Sequence, residues 1–265
     1  ESIDYIIHAA SLASPVFYET VPVDVIIPNT IGLYKLLKLA REKKTKKFLF
    51  MSSSEVYGLV NSQNNYSEND LGIVDCAEIR NCYAESKRMG ENLCVSFTKQ
   101  YGVDTNCVRI YHTYGPTMNI YKDKRAFCEF TKNVVESKNI EIKGDGKAMR
   151  PFLYITDAIV AFFIIIQDGK MGEVYNMSNE NNYVSIWSLA NTLVELYPQK
   201  NLKIEKTIRD SSDSYSEKRD ENQVTGSSKK LMKLGWVPKV NIEDGFKRTI
   251  DSKIEELIIK EESHR

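Results

Sequence analysis

Short apolar runs alternate with longer amphipathic segments in the first part of the chain. The runs that predict strands are residues 4–11, 47–53 and 104–111. Residues 23–43 and 83–101 lie between them and carry apolar positions at helical spacing, with Pro28 as a kink or late start in the first and Gly102 after the second. This alternation predicts βαβ units, and hence a parallel sheet with right-handed crossovers.

The pattern is less regular beyond residue 116. The predicted elements there are helices at 126–137, 157–167, 185–197 and 242–260, strands at 140–142, 152–155 and 173–177, turns at 144–146 and 234–238, and a polar loop at 211–223. We expect another polar loop at residues 61–70. The strand at 152–155 and the strongly apolar helix after it predict a return of the chain to the main sheet.

A tyrosine and a lysine four residues apart occur twice, at Tyr34 and Lys38 and at Tyr83 and Lys87. Such a lysine can favour the phenolate and lower the tyrosine pKa towards neutrality, while a serine at a strand end holds the hydroxyl that the tyrosine deprotonates. Only the second pair follows a strand that ends in serines, among them Ser53. We therefore predict that this pair removes a proton and a hydride from a carbinol, against the alternative of an ordinary amphipathic helix. The first pair is predicted to be packing plus a solvated lysine.

Composition limits the possible partners. The chain has 36 basic and 36 acidic residues among 265, so no long-range field favours nucleic acid or an anionic membrane. Five cysteines without a C-x-x-C pair and only three histidines indicate no metal site, and they predict free thiols in a reducing cytoplasm. The longest apolar run is too short to cross a bilayer. An anionic small-molecule ligand would need local cations.

Several motifs follow one another along nearly the whole chain. They are HAASLASP at 8–15, NTIG at 29–32, SSEVYG at 53–58, YAESKRMGE at 83–91, RIYHTYGP at 109–116, GDG at 144–146, RPF at 150–152 and LGW at 234–236. In this order they resemble the extended short-chain dehydrogenase/reductases that act on nucleotide sugars, and most of all the UDP-glucuronate decarboxylases. The resemblance implies an α/β fold: a doubly wound parallel Rossmann sheet with a smaller α/β substrate unit. Residues 1–115 with 151–170 would form a partial NAD-binding unit, and residues 116–150 with 171–265 the nucleotide-sugar unit.

The resemblance also implies residue roles. Tyr83 would take the proton from the sugar C4 hydroxyl as hydride passes to NAD, Lys87 would bind the nicotinamide ribose, and Ser53 would hydrogen-bond the same hydroxyl. The implied cofactor-binding residues are Ala9, Ala10, Asn29, Ser52, Tyr83, Lys87 and Tyr111. The implied substrate-binding residues are Ser54, His112, Arg125 and Arg150. The two arginines would supply the cations that a diphosphate needs.

Glu55 separates the reactions of the family. Simple 4-epimerases usually lack a carboxylate there, whereas decarboxylases and 4,6-dehydratases have one, because each moves a second proton once the 4-keto intermediate exists. The alternative is a glutamate that caps the following turn or pairs with Arg88. We therefore predict a lyase of polysaccharide biosynthesis that oxidises a nucleotide sugar at C4 and then decarboxylates or dehydrates it. A 4-epimerase and, less favoured, a non-catalytic dinucleotide-binding relative remain the alternatives.

The chain departs from the family at two further places. His112 stands where most relatives have an asparagine that touches the substrate phosphate; it would either face the substrate or be packed and hydrogen-bonded. Residues 223–226 replace an arginine and an aspartate that many relatives carry before the turn at 234–236. The nucleotide therefore need not be UDP.

The family has a glycine-rich loop and three strands that would precede residue 1. We therefore expect an N-terminally incomplete chain, in which the strand at residues 5–10 becomes an open sheet edge. The resemblance further implies a homodimer through a four-helix bundle, built from residues 30–43 and the Tyr83 helix of each copy.

Overall fold

The computed structural model describes residues 2–60, 62, 65–208 and 225–263. Its strands are β1 (Tyr5–His8), β2 (Lys47–Ser53), β3 (Thr105–Ile110), β4 (His112–Tyr114), β5 (Ile140–Lys143), β6 (Met149–Tyr154), β7 (Val174–Met177), β8 (Tyr183–Ser185) and β9 (Ile204–Thr207). Its helices are α1 (Val16–Thr20), α2 (Pro22–Ile27), α3 (Leu33–Lys43), α4 (Cys82–Tyr101), α5 (Ala126–Val135), α6 (Ile155–Asp168), α7 (Ile186–Leu196), α8 (Lys229–Met232) and α9 (Ile242–Ser263). None of the helices in these ranges is long and apolar enough to span a bilayer. The polar loop predicted at 211–223 lies outside the described residues.

The main sheet has four parallel strands in the order β1-β2-β3-β7. The side chains of β2 alternate between its two faces and are buried on both. Phe48 and Phe50 pack with Cys107 beneath α3 and α4, while Leu49 and Val108 pack beneath α6. A sheet that is apolar on both faces requires helices on both sides. The predicted α/β fold with a parallel sheet is therefore confirmed.

Two strand assignments made from the sequence are wrong. β6, which we expected in the main sheet, pairs in parallel with β4 and antiparallel with β8 in a separate three-stranded sheet. The helix after it, α6, does pack on the main sheet. β7, which we assigned to the nucleotide-sugar unit, is the fourth strand of the main sheet beside β3. Periodicity identifies a strand but not its partner, and the division of the chain into two units stays a prediction.

Pro28 interrupts the helix predicted over residues 23–43. Proline has no N–H to donate to the preceding turn, and the chain forms α2, a π-helical turn over Pro28–Gly32 and then α3. The His8 Nε2 atom lies 2.9 Å from the Pro28 carbonyl oxygen, and this hydrogen bond ties the turn to the end of β1. The stretch between β1 and residue 23, for which the sequence predicted no element, contains α1, whose five residues are too few for a periodic pattern.

α4 approaches β2 closely at Gly90. A Cβ atom built on Gly90 would lie 2.5 Å from Cζ of Phe50 and 3.1 Å from the carbonyl oxygen of Asn29. Because no side chain intervenes, the helix rests directly on the strand and on the π-helical turn. Tyr83 and Lys87 precede Gly90 on the same helix and are thereby brought against the carboxyl end of β2.

A second core surrounds β4 and β6, between α5, α7 and α9. Its centre is a group of rings in which Tyr114 stacks on Phe246, with centroids 4.0 Å apart and planes at 13°. Phe152 lies edge-on to both of these rings. β4 follows β3 after the single residue Tyr111, so the second core begins where the main sheet ends.

Candidate active site

A cavity of about 350 Å³ opens at the carboxyl ends of β1, β2 and β3. Ligands of parallel α/β sheets bind at this edge, and small-molecule sites measure roughly 300–1,000 Å³. The predicted site residues that line it are Ala9, Ser52, Ser53, Ser54, Glu55, Tyr83, Lys87, Tyr111, His112, Arg125 and Arg150. The structure therefore gathers the predicted site around one cavity, with the exceptions of Ala10 and Asn29.

Tyr83 is buried at the first turn of α4, with 6% of its surface exposed. Its ring stacks on Tyr18, with centroids 4.8 Å apart and planes at 10°, and the side chain of Ser53 is its hydrogen-bond partner. Burial raises the pKa of Tyr83 to about 12, and the hydrogen bond with Ser53 acts in the opposite direction. The predicted shift towards neutrality is wrong for this structure, because desolvation of the phenolate outweighs the groups that favour it.

Lys87 lies one turn further along α4 and is also buried, with 3% of its surface exposed. Its Nζ donates to the carbonyl oxygen of Met51 at 2.7 Å and lies 5.5 Å from the centroid of the Tyr83 ring. Burial lowers the pKa of Lys87 to about 7, while nearby thiol and carboxylate groups raise it. An ammonium carries three N–H donors, so the bond to Met51 leaves donors for a ligand in the cavity.

Ser53 and Glu55 lie on the turn that follows β2. Ser53 caps this turn, because its Oγ accepts a hydrogen bond from the backbone N–H of Glu55 at 3.2 Å. The Glu55 carboxylate pairs with Arg80, with Nη1 and Oε2 3.6 Å apart. Arg88, the alternative partner considered above, donates through Nε to the Val56 carbonyl at 2.6 Å. The carboxylate thus stands at the cavity wall with a cation beside it.

Among the described residues, three guanidinium groups line the cavity, those of Arg80, Arg125 and Arg150. The Nε of Arg125 lies 3.0 and 2.9 Å from the two carboxylate oxygens of Asp123. Arg150 donates through Nη1 to the carbonyl of Met149 at 2.8 Å. Guanidinium groups suit planar, multidentate recognition of phosphates and carboxylates. In a chain without net charge, this local concentration of cations indicates an anionic ligand.

His112 combines features of both alternatives that the sequence left open. Its ring packs edge-on against Phe127 and Phe152, with centroids 6.2 and 5.9 Å away, and it also lines the cavity. The Nδ1 atom is buried and has no hydrogen-bond partner among the described residues. Burial, followed by the charges of Arg150 and Arg125, holds the pKa of His112 well below its usual value. The imidazole is therefore neutral at neutral pH.

Three residues predicted to bind the cofactor differ in placement from the others. Asn29 is fully buried outside the cavity, and its Nδ2 donates to the Ser86 hydroxyl at 3.1 Å, which joins the π-helical turn to α4. Ala10 is exposed beyond β1 and does not line the cavity either. Ser52 lines the cavity, but its hydroxyl donates to the Glu91 carboxylate at 2.5 Å. Their cofactor roles stay predictions.

The sequence analysis missed several residues of the cavity wall. The clearest are Tyr18, which stacks on Tyr83, and Arg80, which pairs with Glu55. Arg80 had a usable signal, since it precedes the predicted tyrosine by three residues at the entry to the same helix. Tyr66 and Thr225 also line the cavity and are joined by a backbone hydrogen bond. They are far apart in the chain, so no local pattern could have linked them.

Comparisons with known proteins identify the family of the chain. The model of the NAD dependent epimerase/dehydratase family matches residues 1–178. The chain belongs to this family. UDP-glucuronic acid decarboxylase 6 of Arabidopsis thaliana is 33% identical over 247 residues, which are 92% of this chain and 68% of that relative. The resemblance noted from the motifs is thereby confirmed.

Two solved structures of epimerases share the fold. The UDP-glucose 4-epimerase of Thermotoga maritima, with UDP-glucose, superposes with a TM-score of 0.83 at 23% identity, over 96% of this chain and 78% of that chain. The UDP-glucuronic acid 4-epimerase of Bacillus cereus, in complex with UDP-glucuronic acid and NAD, gives a TM-score of 0.80 at 25% identity, over 96% of this chain and 76% of that chain.

Proposed function

We propose that this protein oxidises the C4 hydroxyl of a nucleotide-linked hexuronate and then releases the C6 carboxylate as carbon dioxide, as a UDP-glucuronate decarboxylase. The observation that carries the proposal is the ion pair of Glu55 and Arg80 at the cavity wall, in the same cavity as Tyr83. A hexuronate brings a carboxylate that needs a cation, and the second proton transfer needs an acid or base. The curated relative at 33% identity is named for this reaction.

The residues at the cavity fit an NAD cofactor. The Ser11 hydroxyl is buried at the wall without a hydrogen-bond partner among the described residues, and it can serve a ribose or phosphate oxygen. Lys87 retains ammonium donors beside the Met51 carbonyl, which together match a ribose diol. When bound, NAD supplies the acceptor for the hydride that leaves C4, and its positive nicotinamide ring favours the phenolate of Tyr83.

The first half of the reaction uses Ser53, Tyr83 and Lys87. Ser53 orients the C4 hydroxyl, and Tyr83 takes its proton once the phenol has ionised. With a pKa of about 12, Tyr83 is protonated at neutral pH until a further cation lies near it. The Lys87 ammonium, 5.5 Å from the ring, contributes in the same direction. Oxidation at C4 therefore begins only when the cavity is filled.

The second half uses Glu55 and Arg80. In the 4-keto sugar the C6 carboxylate is β to the ketone, so the C5–C6 bond breaks as its electron pair moves into the C4–C5 enolate and carbon dioxide leaves. Arg80 binds the carboxylate before this step. C5 must then take up a proton. Glu55, the only carboxyl side chain among the described lining residues, would accept this proton from water and pass it to C5.

Product masses test the proposal. The purified protein with NAD is incubated separately with UDP-glucuronate, UDP-glucose, dTDP-glucose and GDP-mannose. We expect carbon dioxide loss from UDP-glucuronate, and we expect Glu55→Gln to retain C4 oxidation while steady-state turnover slows, because protonation of C5 follows the loss of carbon dioxide. Loss of water from one of the hexoses would favour a 4,6-dehydratase, the candidate that Glu55 also supports. An isomer of unchanged mass would favour a 4-epimerase.

We also propose a homodimer that forms through α3 and α4. Exposed apolar side chains lie before α3, at Ile27 and Ile31, on α3 itself, at Tyr34, and on α4, at Met89 and Val95. Two copies of this pair of helices would bury them in a four-helix bundle. We expect Ile31→Glu to shift the sedimentation coefficient from dimer to monomer. An unchanged coefficient would exclude this face.

The cellular setting that we propose is the cytoplasm, with a role in supplying nucleotide sugars for polysaccharide biosynthesis. All five cysteines are free thiols, which suits a reducing compartment. Fractionation of cells that express the tagged protein would test the location. Analysis of the surface polysaccharide after gene deletion would test the role.

A further inference from the structure

A buried ion pair lies beneath the cavity, between Glu91 on α4 and Arg109 on β3. Each residue is 8% exposed. Arg109 donates through Nε to Oε1 at 2.9 Å and through Nη2 to Oε2 at 2.8 Å, which is a bidentate arrangement. Neither residue lines the cavity. The mechanism above uses neither, and a buried pair is by itself weak evidence for stability.

Glu91 is connected to the residues of the cavity wall by hydrogen bonds. Its carboxylate accepts a third hydrogen bond, from the hydroxyl of Ser52 at 2.5 Å. Ser52 stands between Met51, whose carbonyl accepts from Lys87 at 2.7 Å, and Ser53. Glu91 follows Lys87 by four residues and lies on the same face of α4. Two adjacent residues of β2 are thus tied to two side chains one turn apart on the helix.

We propose that Glu91 is a positioning residue for the reaction proposed above, and that it holds the carboxyl end of β2 against α4 through Ser52. This tie fixes the distance between the strand that carries Ser53 and the helix that carries Tyr83 and Lys87. The inference rests on the proposed function for its effect on turnover. Misplacement of reacting groups by about 1 Å can cost about 100-fold in rate.

The charge of Glu91 supports the same role. Burial is the largest influence on Lys87 and lowers its pKa, and the Glu91 carboxylate is among the groups that raise it. Loss of that charge would lower the pKa of Lys87 further.

The opposite end of β2 offers a matched control. Lys47 is buried there and pairs with Asp104, with Nζ and Oδ2 2.9 Å apart. Its Nζ also donates to the carbonyl of Gly169 at 2.8 Å. This pair likewise fastens β2 to its surroundings, but it lies at the end of the strand away from the cavity. Asp104→Asn should therefore lower stability without disturbing the site.

The first experiment uses Ser52→Ala, which removes the hydrogen bond to Glu91 and leaves the Glu91–Arg109 pair intact. We expect kcat to fall about 10- to 100-fold, with KM for the sugar and Kd for NAD changed less than about three-fold. Ser52→Thr keeps the hydroxyl and should recover most of the loss. Asp104→Asn should keep kcat within about two-fold of wild type, measured well below its melting temperature.

Three outcomes of this experiment would overturn the inference. One is an unchanged kcat in Ser52→Ala; a second is a loss of kcat in Asp104→Asn that matches the loss in Ser52→Ala at equal destabilisation. A weaker Kd for NAD in Ser52→Ala with kcat retained would also overturn it, because Ser52 would then contact the cofactor directly.

The second experiment does not depend on turnover. Protein labelled with ¹³C at lysine Cε is titrated by NMR, and the Lys87 signal is assigned by its absence in Lys87→Met. We expect the Lys87 titration to move to lower pH in Glu91→Gln and to stay in place in Asp104→Asn. An unmoved midpoint in Glu91→Gln would contradict the inference. If the wild-type protein transformed none of the nucleotide sugars, the proposed function would fail, while this titration would still test the charge interaction between Glu91 and Lys87.

Discussion

The two Tyr-x-x-x-Lys pairs of this chain have almost the same internal geometry in very different surroundings. The lysine Nζ lies 5.8 Å from the ring centroid in the Tyr34–Lys38 pair and 5.5 Å in the Tyr83–Lys87 pair. Yet Tyr34 is 46% exposed and Tyr83 only 6%. Helical spacing therefore sets the distance within each pair. It does not decide whether the pair can do chemistry.

The difference arises from where each helix lies. The Tyr34 ring rests edge-on against Phe97 at 5.9 Å, on the outer side of the helix layer. Tyr83 lies in the first turn of α4, at the carboxyl end of β2, and the Ser53 side chain is its hydrogen-bond partner there. Burial at that point raises the pKa of the tyrosine and lowers that of Lys87. The pKa values of both residues in the second pair are thus shifted from their ordinary values, which is a property of functional sites.

The largest expected effect comes from removing each hydroxyl. Tyr83→Phe should lower turnover of the nucleotide sugar by about 10³-fold, since it deletes the general base. Tyr34→Phe keeps its ring contact and should stay within about two-fold of wild type. Initial rates of product formation measure both. Unchanged turnover in Tyr83→Phe would mean that Tyr83 is not the general base.

The lysines should differ in the same sense but less strongly. Lys87→Met removes the ammonium beside the phenol and should lower turnover about 10²-fold. Lys38→Met changes a solvated side chain and should have no measurable effect on rate. Steady-state kinetics with saturating NAD separate a loss of chemistry from a loss of binding. Equal losses in the two variants would mean that burial does not distinguish the pairs.

Stability against pH should distinguish the lysines again. The pKa of Lys87 is about 7 in the folded protein, against 10.5 as its ordinary value. The unfolded chain therefore binds more protons between these limits, so wild-type stability rises with pH across that window. At pH 7, Lys87→Met should be more stable by about 2 kcal/mol, after loss of the Met51 hydrogen bond. The gain should shrink as pH approaches 10.

Thermal unfolding at several pH values measures this effect. A gain of about 2 kcal/mol corresponds to roughly 4–8 °C in a chain of this size. Lys38→Met serves as the control and should show no pH-dependent difference from wild type. A gain that persisted unchanged to pH 10 would contradict the assignment of the effect to the buried charge.

The smallest effect concerns the contact beneath the first pair. Tyr34→Leu exchanges the aromatic edge contact with Phe97 for an aliphatic one and should cost about 0.5 kcal/mol. Urea unfolding at low protein concentration measures it, and turnover should not change. A large loss of activity would mean that the outer pair is coupled to the site after all.

The elements that carry the site residues could be predicted from the sequence. β2 runs over Lys47–Ser53, as the apolar run predicted, and α4 ends at Tyr101, directly before Gly102, whose φ of 69° is left-handed. These features place Ser53 before Tyr83 and Lys87. They depend on side-chain periodicity and on one glycine stop signal, and both can be recognised within a short window.

The burial of the side chains and the pairing of distant segments could not be predicted from the sequence. The sequence could not indicate that Glu55 pairs with Arg80, or that β6 leaves the main sheet, because both depend on packing between distant segments. The pKa of Tyr83 was predicted in the wrong direction for the same reason. Its spacing from Lys87 was visible, whereas the desolvation that dominates comes from residues such as Tyr18, far away in the chain.

Gly90 distinguishes the two pairs by a feature that can be recognised in other sequences. It stands three residues after Lys87, and the same place after Lys38 is taken by Arg41, whose guanidinium covers the Tyr101 ring at 4.0 Å. A search that scores donors, acceptors and charges would pass over a residue that has none of them. Yet α4 can pack directly on β2 only because Gly90 has no Cβ methyl group. As a filter on unassigned sequences, a tyrosine–lysine pair followed by glycine should be read as a buried pair, and one followed by a long side chain as a surface pair.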